Sequence, residues 1–370
     1  MEPLNLTNKD QLTGKLRSLY ESLGYTRFSM RRFEEYALYL ENKSFLKSDS
    51  VLAFSNPDGM LMALKPDVTL SIAKHARPER DALEKVYYKE SVYRLAPTAR
   101  EFVEIEQMGV EALGAIDGYT IAEIIRLAIE TLRAVGKDYV LDISHMGFAS
   151  GLLEAAGLDA GQQEALLPFI RQRNAHELAK EIARQHVPAE YAQRIAQLAG
   201  LSGTFPETLA RASALVVSPG MEQVLAELRA LYELLDTLGL AGCLQLDFSM
   251  LNDQSYYNGV VFQGYVAGAP RVVLSGGRYD LLMRRFGKQG DAIGFALYLD
   301  ELTYMLAEPS QWDADVLALY RAEDDVAALN AAVFELAAQG LRVFATSNPP
   351  RDFRAPTTMA FDGRTFREVT

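Results

Sequence analysis

The sequence predicts an α+β fold in which an antiparallel sheet is flanked by helices. Two long apolar runs, 86–94 and 101–112, follow one another and read as neighbouring strands. A block rich in Ala, Leu, Gln and Glu, about 150–240, then predicts consecutive helices, and strand-like segments return after it. A doubly wound parallel sheet would instead require strands and helices in strict alternation.

The composition limits the class of protein. The 370 residues suggest two domains, and 49% hydrophobic with 23% charged residues is typical of a globular protein. We see neither a signal peptide nor an apolar stretch of about 18 residues, so we expect a cytoplasmic protein with no membrane partner. The net charge of −12 disfavours nucleic acid as a partner. The single cysteine, Cys243, and four scattered histidines predict no disulfide, no metal site and no cofactor.

The N-terminal elements follow from apolar spacing. Leucines at positions 12, 16, 19 and 23 predict a helix over 8–23 that ends at Gly24. The runs 51–54 and 60–64, joined by Asn-Pro-Asp-Gly, predict a hairpin. An irregular stretch, 95–100, bridges the two long strands. An apolar stripe then predicts a helix over 119–135 that ends at Gly136.

The second long strand has an unusual face. Alternation places Val103, Ile105, Gln107, Gly109 and Glu111 on one side of it. Two polar residues flanking a glycine are uncommon on a core-facing surface, so we interpret them as a floor that a small ligand approaches closely. The alternative is an ordinary solvated strand face.

The C-terminal half returns to strands and then forms a small unit. Strands are predicted at 244–248, 256–266 and 271–274, and a helix at 293–307. After a boundary near 308–310, the pattern predicts a strand at 315–319, a helix at 323–338, and strands at 341–345 and 358–361. We therefore expect one domain over 1–310, with a helical insertion at about 150–240, and a small or truncated α/β domain over 311–370.

Four segments, in this order, resemble class II aminoacyl-tRNA synthetases, and histidyl-tRNA synthetase most closely. They are LKPDVT (64–69), VYR (92–94) leading to EQMGVE (106–111), SYYNG (255–259), and GGRYD (276–280) leading to IGFA (293–296). No single segment is decisive, and their common order carries the resemblance. It implies a six-stranded antiparallel sheet, a dimer formed through the N-terminal helix region, and an insertion that matches the helical block.

The resemblance also implies a histidine-binding pocket inherited from the family. The matching positions are Asp67, Thr69, Arg94, Gln107, Glu111, Tyr256, Tyr257 and Tyr279. In the family, the residues at Asp67 and Thr69 hold the substrate's ammonium group. A glutamate such as Glu111 can accept an imidazole N–H, and tyrosines offer flat apolar area with a hydroxyl. The alternatives are a turn or helix cap at Asp67 and core packing for any single tyrosine.

Three departures from the family's pattern concern ATP. One arginine falls at Asn252, the arginine of Gly-Leu-Glu-Arg-Leu falls at Glu301 in 298–302, and His-Glu-Arg-Pro becomes LAPT (95–98). Adenylate formation requires cations on the α-phosphate. At ~4 Å and an effective dielectric near 20, replacing attraction by repulsion changes the interaction by several kcal/mol. We therefore predict no catalytic residue.

The chain matches the family's histidine-binding positions but lacks these arginines. In this it resembles the family's non-catalytic paralogues, the regulatory subunits of ATP phosphoribosyltransferase. That resemblance implies a role in the first step of histidine biosynthesis, pairing with a short-form catalytic subunit in a hetero-octamer, a homodimer of the synthetase-like core, and L-histidine as effector. The short 311–370 unit also disfavours tRNA reading. Two alternatives stay open: a divergent active histidyl-tRNA synthetase or other amino-acid-activating enzyme, and a binding module that uses the core as a scaffold.

Overall fold

The structure is a computed structural model that describes residues 8–46, 50–77, 82–96, 101–251, 257–306 and 312–369. Residues 13–304 form the larger of two compact units, and the C-terminal residues from Met305 onward lie in the smaller one. The strands of the larger unit are β1 (Thr26–Arg27), β2 (Phe33–Glu35), β3 (Ala53–Ser55), β4 (Leu61–Leu64), β5 (Leu83–Leu95), β6 (Phe102–Gly114), β7 (Tyr139–His145), β8 (Ser202–Thr204), β9 (Leu244–Asp247), β10 (Val260–Val266), β11 (Leu274–Arg278) and β12 (Asp291–Tyr298).

Among the described residues, nine of these strands form one sheet in the order β1-β5-β6-β12-β11-β10-β7-β9-β8. Every neighbouring pair from β5 to β7 is antiparallel. These six strands confirm the antiparallel sheet of the predicted α+β fold. At its two sides, β1 and β9 pair in parallel with β5 and β7.

Twelve α-helices lie within the described residues up to 306, and the six between residues 146 and 237 form the predicted helical block. The twelve are α1 (Asn8–Ser22), α2 (Tyr36–Glu41), α3 (Thr69–His75), α4 (Gly118–Val135), α5 (Met146–Ala155), α6 (Ala160–Arg171), α7 (Ala175–Arg184), α8 (Ala189–Leu198), α9 (Phe205–Ser213), α10 (Pro219–Thr237), α11 (Asp280–Arg285) and α12 (Thr303–Leu306).

Helix α4 lies on the face of the sheet that carries Phe262 and Phe295. Its first turn is capped by Asp117, whose Oδ1 accepts the N–H of Thr120 at 2.8 Å. Ile125 and Leu132 of its apolar stripe are fully buried. Helix α10 packs against α4 and α5, and α9 packs against β8 and β9, so several helices join the helical block to the sheet.

The helix predicted over 293–307 is wrong. Residues 291–298 are strand β12, and only a 3-10 turn at Leu299–Leu302 and the short α12 follow it. Strand β12 pairs along both edges, with β6 and β11. Consecutive residues within it are buried, so both of its faces are covered and its sequence shows no polar alternation. A short apolar run is compatible with a buried strand and with a helix. Here the hydrogen bonds to the neighbouring strands make the segment a strand.

Other predicted boundaries shift by a few residues. The strand predicted at 271–274 covers Leu274–Arg278, so the glycine pair lies inside β11. Strand β7 and helices α2, α3 and α11 were not predicted. The part of the 256–266 prediction that falls on residue 256 lies outside the described residues.

The predicted hairpin is confirmed as β3 and β4, which pair antiparallel. Its turn is held by Asn56, whose Oδ1 accepts the N–H groups of Asp58 at 3.0 Å and Met60 at 2.8 Å. Gly59 takes a φ of 78°, a left-handed conformation that favours glycine. Strand β2 adds to β4 and completes a small sheet in the order β2-β4-β3.

The smaller unit has its own core. It contains β13 (Val316–Leu319), α13 (Val326–Ala338), β14 (Val343–Thr346), β15 (Thr357–Phe361) and β16 (Phe366–Glu368). The sheet order is β14-β13-β15-β16, in which β13 is parallel to both neighbours and β16 is antiparallel to β15. Its core joins Val316, Phe361 and Phe366 to Ala332 of α13. No helix in the described ranges is long and apolar enough to cross a membrane.

The strand register fixes which side chains meet on the face of the large sheet away from α4. One row across the sheet contains Tyr88, Gly109, Ala296 and Ser275. The next row on the same face contains Glu111, Gly294 and Gly277. These two rows form the floor of the site described below.

Candidate functional site

A small pocket lies on this face, between the sheet and the start of α3. Its cavity volume is ≈ 20 Å³, which is room for about one water molecule. Seven of the eight predicted residues line it together, namely Asp67, Thr69, Arg94, Gln107, Glu111, Tyr257 and Tyr279. The eighth, Tyr256, lies outside the described residues. The structure therefore brings these seven side chains together in one place.

Glu111 is the buried acid of the pocket, and only 2% of its surface is exposed. Its Oε1 accepts a hydrogen bond from Thr69 Oγ1 at 2.9 Å, and its Oε2 accepts one from the Tyr279 hydroxyl at 2.7 Å. Burial raises the pKa of Glu111 to about 8, and the nearby Asp67 adds to the rise, whereas the two hydrogen bonds oppose it. The solvated strand face considered above is therefore excluded for this residue.

Gly294 makes room for that carboxyl group. It lies opposite Glu111 in the β6–β12 register. A Cβ atom built on Gly294 would lie 1.7 Å from Glu111 Oε2 and 2.4 Å from the backbone oxygen of Val110. The glycine thus allows the Glu111 side chain to lie flat across β12, which puts its carboxylate beneath Thr69 and Tyr279.

Asp67 serves two purposes at the edge of the pocket. Its Oδ1 accepts the N–H of Leu70 at 2.9 Å, which caps the first turn of α3, so the helix-cap interpretation is correct. Its other oxygen, Oδ2, lies 3.4 Å from Nη2 of Arg94. The Nε of Arg94 donates to the Pro66 carbonyl at 2.7 Å. Asp67 is therefore a cap and a pocket wall at once.

Gln107 brings an amide group to the same floor. The residue is 3% exposed, and its Nε2 donates to no partner among the described residues. A buried amide N–H without a partner costs stability that a bound acceptor would restore. Gln107 therefore offers a donor for a ligand, and its burial excludes the solvated-face alternative here as well.

The tyrosines close the pocket from several strands. Tyr257 and Tyr279 are buried, and so is Tyr88, which the sequence reasoning missed. Burial raises the pKa of Tyr257 well above its ordinary value, and its neighbour Tyr298 adds to this. A Cβ on Gly277 would lie 2.7 Å from the Tyr257 ring. Tyr88 lies in β5 directly opposite Gly109, and no signal in a single sequence shows this cross-strand register.

The interpretation of Gly109 as a site of close ligand approach requires correction. A Cβ at this position would lie 2.1 Å from the backbone oxygen of Phe295 and 2.7 Å from the Tyr88 hydroxyl. The glycine therefore accommodates the neighbouring strand and the Tyr88 side chain, not a ligand.

The arrangement supports binding better than group transfer. It offers an acid, an amide, an arginine paired with an aspartate, and aromatic walls. Within the described residues, no group of three or more His, Cys, Asp or Glu is placed to hold a metal ion. Such a pocket can recognise a small ligand that carries N–H donors and a flat ring.

Known proteins resemble this chain along most of its length. An ATP phosphoribosyltransferase regulatory subunit from Moorella thermoacetica is 30% identical over 339 residues, covering 90% of this chain and 86% of that protein. One from Caldanaerobacter subterraneus is 29% identical over 336 residues, covering 85% and 84%. A family model described as histidyl-tRNA synthetase matches residues 1–302. The chain belongs to the histidyl-tRNA synthetase family, among its ATP phosphoribosyltransferase regulatory subunits.

Solved structures of the histidyl-tRNA synthetase family have the same fold. A Bacillus halodurans protein described as an ATP phosphoribosyltransferase regulatory subunit/histidyl-tRNA synthetase has a TM-score of 0.77 at 24% identity, covering 92% of this chain and 88% of that one. A histidyl-tRNA synthetase from Nostoc sp. PCC 7120 has a TM-score of 0.73 at 19% identity, covering 94% and 85%. These likenesses confirm the predicted fold class.

Glu301 is the departure from the synthetase pattern that the described residues contain in full. Glu301 stands in the 3-10 turn directly after β12, where its Oε1 is 3.7 Å from Nη1 of Arg271. Asn252 and part of the LAPT segment lie outside the described residues. Of the described side chains that line the pocket, Arg94 is the only cation. By the sequence resemblance, Glu301 stands where the family's Gly-Leu-Glu-Arg-Leu segment has its arginine.

Lys288 does not replace the missing arginines. Its Nζ donates to the carbonyl oxygens of Ala73, Lys74 and Ala76. These carbonyls end helix α3, so the lysine is used to cap that helix.

Proposed function

We propose that this chain is the non-catalytic regulatory subunit of ATP phosphoribosyltransferase and acts in the first step of histidine biosynthesis in the cytoplasm. The observation that carries this proposal combines two features. The pocket has the residues that resemble the family's histidine-binding site, and Glu301 stands where the family's Gly-Leu-Glu-Arg-Leu segment has its arginine. Relatives named as regulatory subunits over most of their length support it. Its partner would be a short-form catalytic subunit, in a hetero-octamer.

We further propose that L-histidine binds the pocket of Asp67, Thr69, Arg94, Gln107, Glu111, Tyr256, Tyr257 and Tyr279. Glu111 would accept an imidazole N–H, and the unpaired Gln107 amide would donate to the ligand. A cavity of ≈ 20 Å³ is too small for an amino acid. Histidine binding therefore requires the tyrosine walls to move, and a ligand that favours one arrangement over another shifts their populations. That coupling is what histidine feedback needs.

We propose a homodimer formed by the synthetase-like core through its N-terminal region. The small sheet β2-β4-β3 exposes Phe33, Phe54 and Leu61 at 45%, 38% and 45%, and Met60 in the turn before β4 is 48% exposed. Apolar residues exposed side by side mark association surfaces. We also propose 1–310 and 311–370 as the two domains, because the core around Ala332 is separate from that of the large sheet.

The test combines the purified chain with the catalytic subunit and measures the rate of phosphoribosyl transfer with and without L-histidine. We expect the chain to raise the rate of the catalytic subunit and to make it sensitive to histidine. A rate that is unchanged by the chain at every ratio would contradict the regulatory role. A raised rate that ignores histidine would contradict only the histidine proposal.

Histidine-dependent ATP–pyrophosphate exchange separates this role from an active synthetase. We expect no exchange above background, because Glu301 would repel the phosphates. Robust exchange would favour the synthetase alternative. Co-purification with partners other than a phosphoribosyltransferase would favour a binding module.

A further inference from the structure

A second and larger concavity lies on the opposite face of the sheet from the pocket. It has a volume of ≈ 420 Å³ and is bounded by the start of α4, by α10 and by strands β7, β10 and β11. The register confirms the change of face, because Val260 pairs with His145 on the side that carries Phe262, whereas Ser275 faces the pocket. Its walls are mainly apolar, with Ile116, Ile121, Leu228, Leu231 and Val260.

The concavity continues over α4 into a second one of ≈ 510 Å³ that borders the end of α1. The two share Leu234. Tyr119 is 67% exposed, Leu238 45%, Leu234 43% and Leu23 41%. We call this continuous surface the α4–α10 groove. Such a run of exposed large apolar residues is a signature of an association surface.

The polar groups of the groove are mostly acidic. Four acids line it, Asp117, Glu123, Glu130 and Glu227, against the arginines Arg126 and Arg278. The guanidinium of Arg278 already donates to Asp280 at 2.8 Å and to Asp291. The net charge of the groove is therefore negative.

Glu227 is the acid best placed to meet a partner, since its side chain is 54% exposed. Gly147 N–H donates to Nδ1 of His145 at 3.1 Å, so the neutral ring carries its hydrogen on Nε2, which lies 3.4 Å from Glu227 Oε2. This contact holds the pKa of Glu227 below its ordinary value. By contrast, Glu123 is bound by Lys85 at 2.6 Å and Glu130 by Arg133 at 2.9 Å.

The negative charge of the groove distinguishes between two possible occupants, a second copy of this chain and a partner with basic residues. In a symmetric contact between two copies of the chain, the same negative groove would meet itself, which is unfavourable. A partner with apolar side chains flanked by Lys or Arg would complement both the apolar walls and the acids.

We propose that the α4–α10 groove is the docking surface for the catalytic chain, which presents apolar side chains flanked by basic residues. The proposal rests on the regulatory role proposed above. Leu234 and Leu238 supply the apolar contact, and Glu227 supplies the charge that selects a basic partner and makes association sensitive to salt.

The test measures binding of the catalytic chain to five variants of the full chain, three in the groove and two controls, by sedimentation and calorimetry. Leu234→Arg should weaken binding at least tenfold, and Leu234→Ala should weaken it less. Glu227→Gln should reduce the salt dependence of the affinity. The matched controls are Phe334→Arg, at an apolar residue of α13 that is more exposed than Leu234, and Glu233→Gln, on the same helix as Glu227. Both should bind as the unaltered chain does.

The outcomes are separable. If the unaltered chain binds the catalytic chain and Leu234→Arg and Leu234→Ala bind equally well, the docking proposal is overturned and the regulatory role stands. If Leu234→Arg instead changes the oligomeric mass measured in the absence of the catalytic chain, the occupant of the groove is a second copy. That result also overturns the docking proposal. If the unaltered chain binds no catalytic chain, the regulatory role fails and this proposal falls with it. Leu234→Ala decides the matter if the arginine variant does not fold.

Discussion

Among the residues that the structure describes, Glu111 accepts two side-chain hydrogen bonds and forms no ion pair. Thr69 and Tyr279 supply those bonds, and they only partly offset the cost of burying a carboxylate. The folded chain therefore holds the Glu111 proton to a higher pH than the unfolded chain does, and folding stability becomes linked to pH through this residue.

The pH dependence has a definite sign. Because burial raises the pKa of Glu111 from 4.5 to about 8, its contribution is fully present below about pH 4.5 and is lost as pH rises towards 8. The unaltered chain should lose up to about 1.4 kcal/mol of unfolding free energy per pH unit in this range through Glu111. Glu111→Gln should remove that slope in urea denaturation, whereas the exposed Glu335→Gln should keep it. Parallel pH profiles for all three proteins would refute the assignment.

Gly294 permits the position of Glu111, so its substitution should be costly. Gly294→Ala should destabilise the fold by about 1–3 kcal/mol, because the added Cβ overlaps the carboxyl group and the Val110 oxygen. Combining it with Glu111→Ala should cost less than the sum of the two single changes, since the carboxyl clash disappears. Thermal and urea unfolding of the four proteins measures this, and simple additivity would show that the two side chains do not meet.

At the scale of elements, the sequence predicted best where the apolar period was unambiguous. Helix α4 and strands β5 and β6 are long, and Gly136 marks the end of α4. Strand β12 was misjudged because a run buried on both faces has no period to reveal it. The pocket residues followed from the resemblance. Tyr88 and Gly294 did not, because their roles come from cross-strand register, which one sequence does not display.

Helix α3 carries pocket residues at its start and is fixed at its end by Lys288. Lys288→Gln should lower the unfolding free energy by about 1–2 kcal/mol, because the last carbonyls of α3 lose their charged donor. It should also weaken histidine binding, since Asp67 and Thr69 belong to the loosened helix. Calorimetry with L-histidine and urea denaturation test both effects. Lys180→Gln, which breaks an exposed ion pair with Glu177, should change neither by more than about 0.5 kcal/mol.

At the scale of the whole molecule, the proposed homodimer depends on the exposed apolar face of the small sheet β2-β4-β3. Leu61→Arg places a charge on β4 within that face, so it should convert the dimer to a monomer in light scattering. Phe334→Arg adds the same charge elsewhere and should leave the mass unchanged. A Leu61→Arg protein that remains dimeric would locate the contact on another surface.

The hydrogen bond between Glu111 and Tyr279 joins residues that are 168 positions apart in the sequence. This separation affects how the chain folds during synthesis. A growing chain that has not yet paired β12 with β6 has no pocket floor, and contacts of such separation form late in folding. A ligand of this pocket therefore stabilises only chains in which the pocket has formed. It does not stabilise incompletely synthesised chains against proteolysis. The amount of chain that survives cellular proteolysis should then rise with the concentration of that ligand.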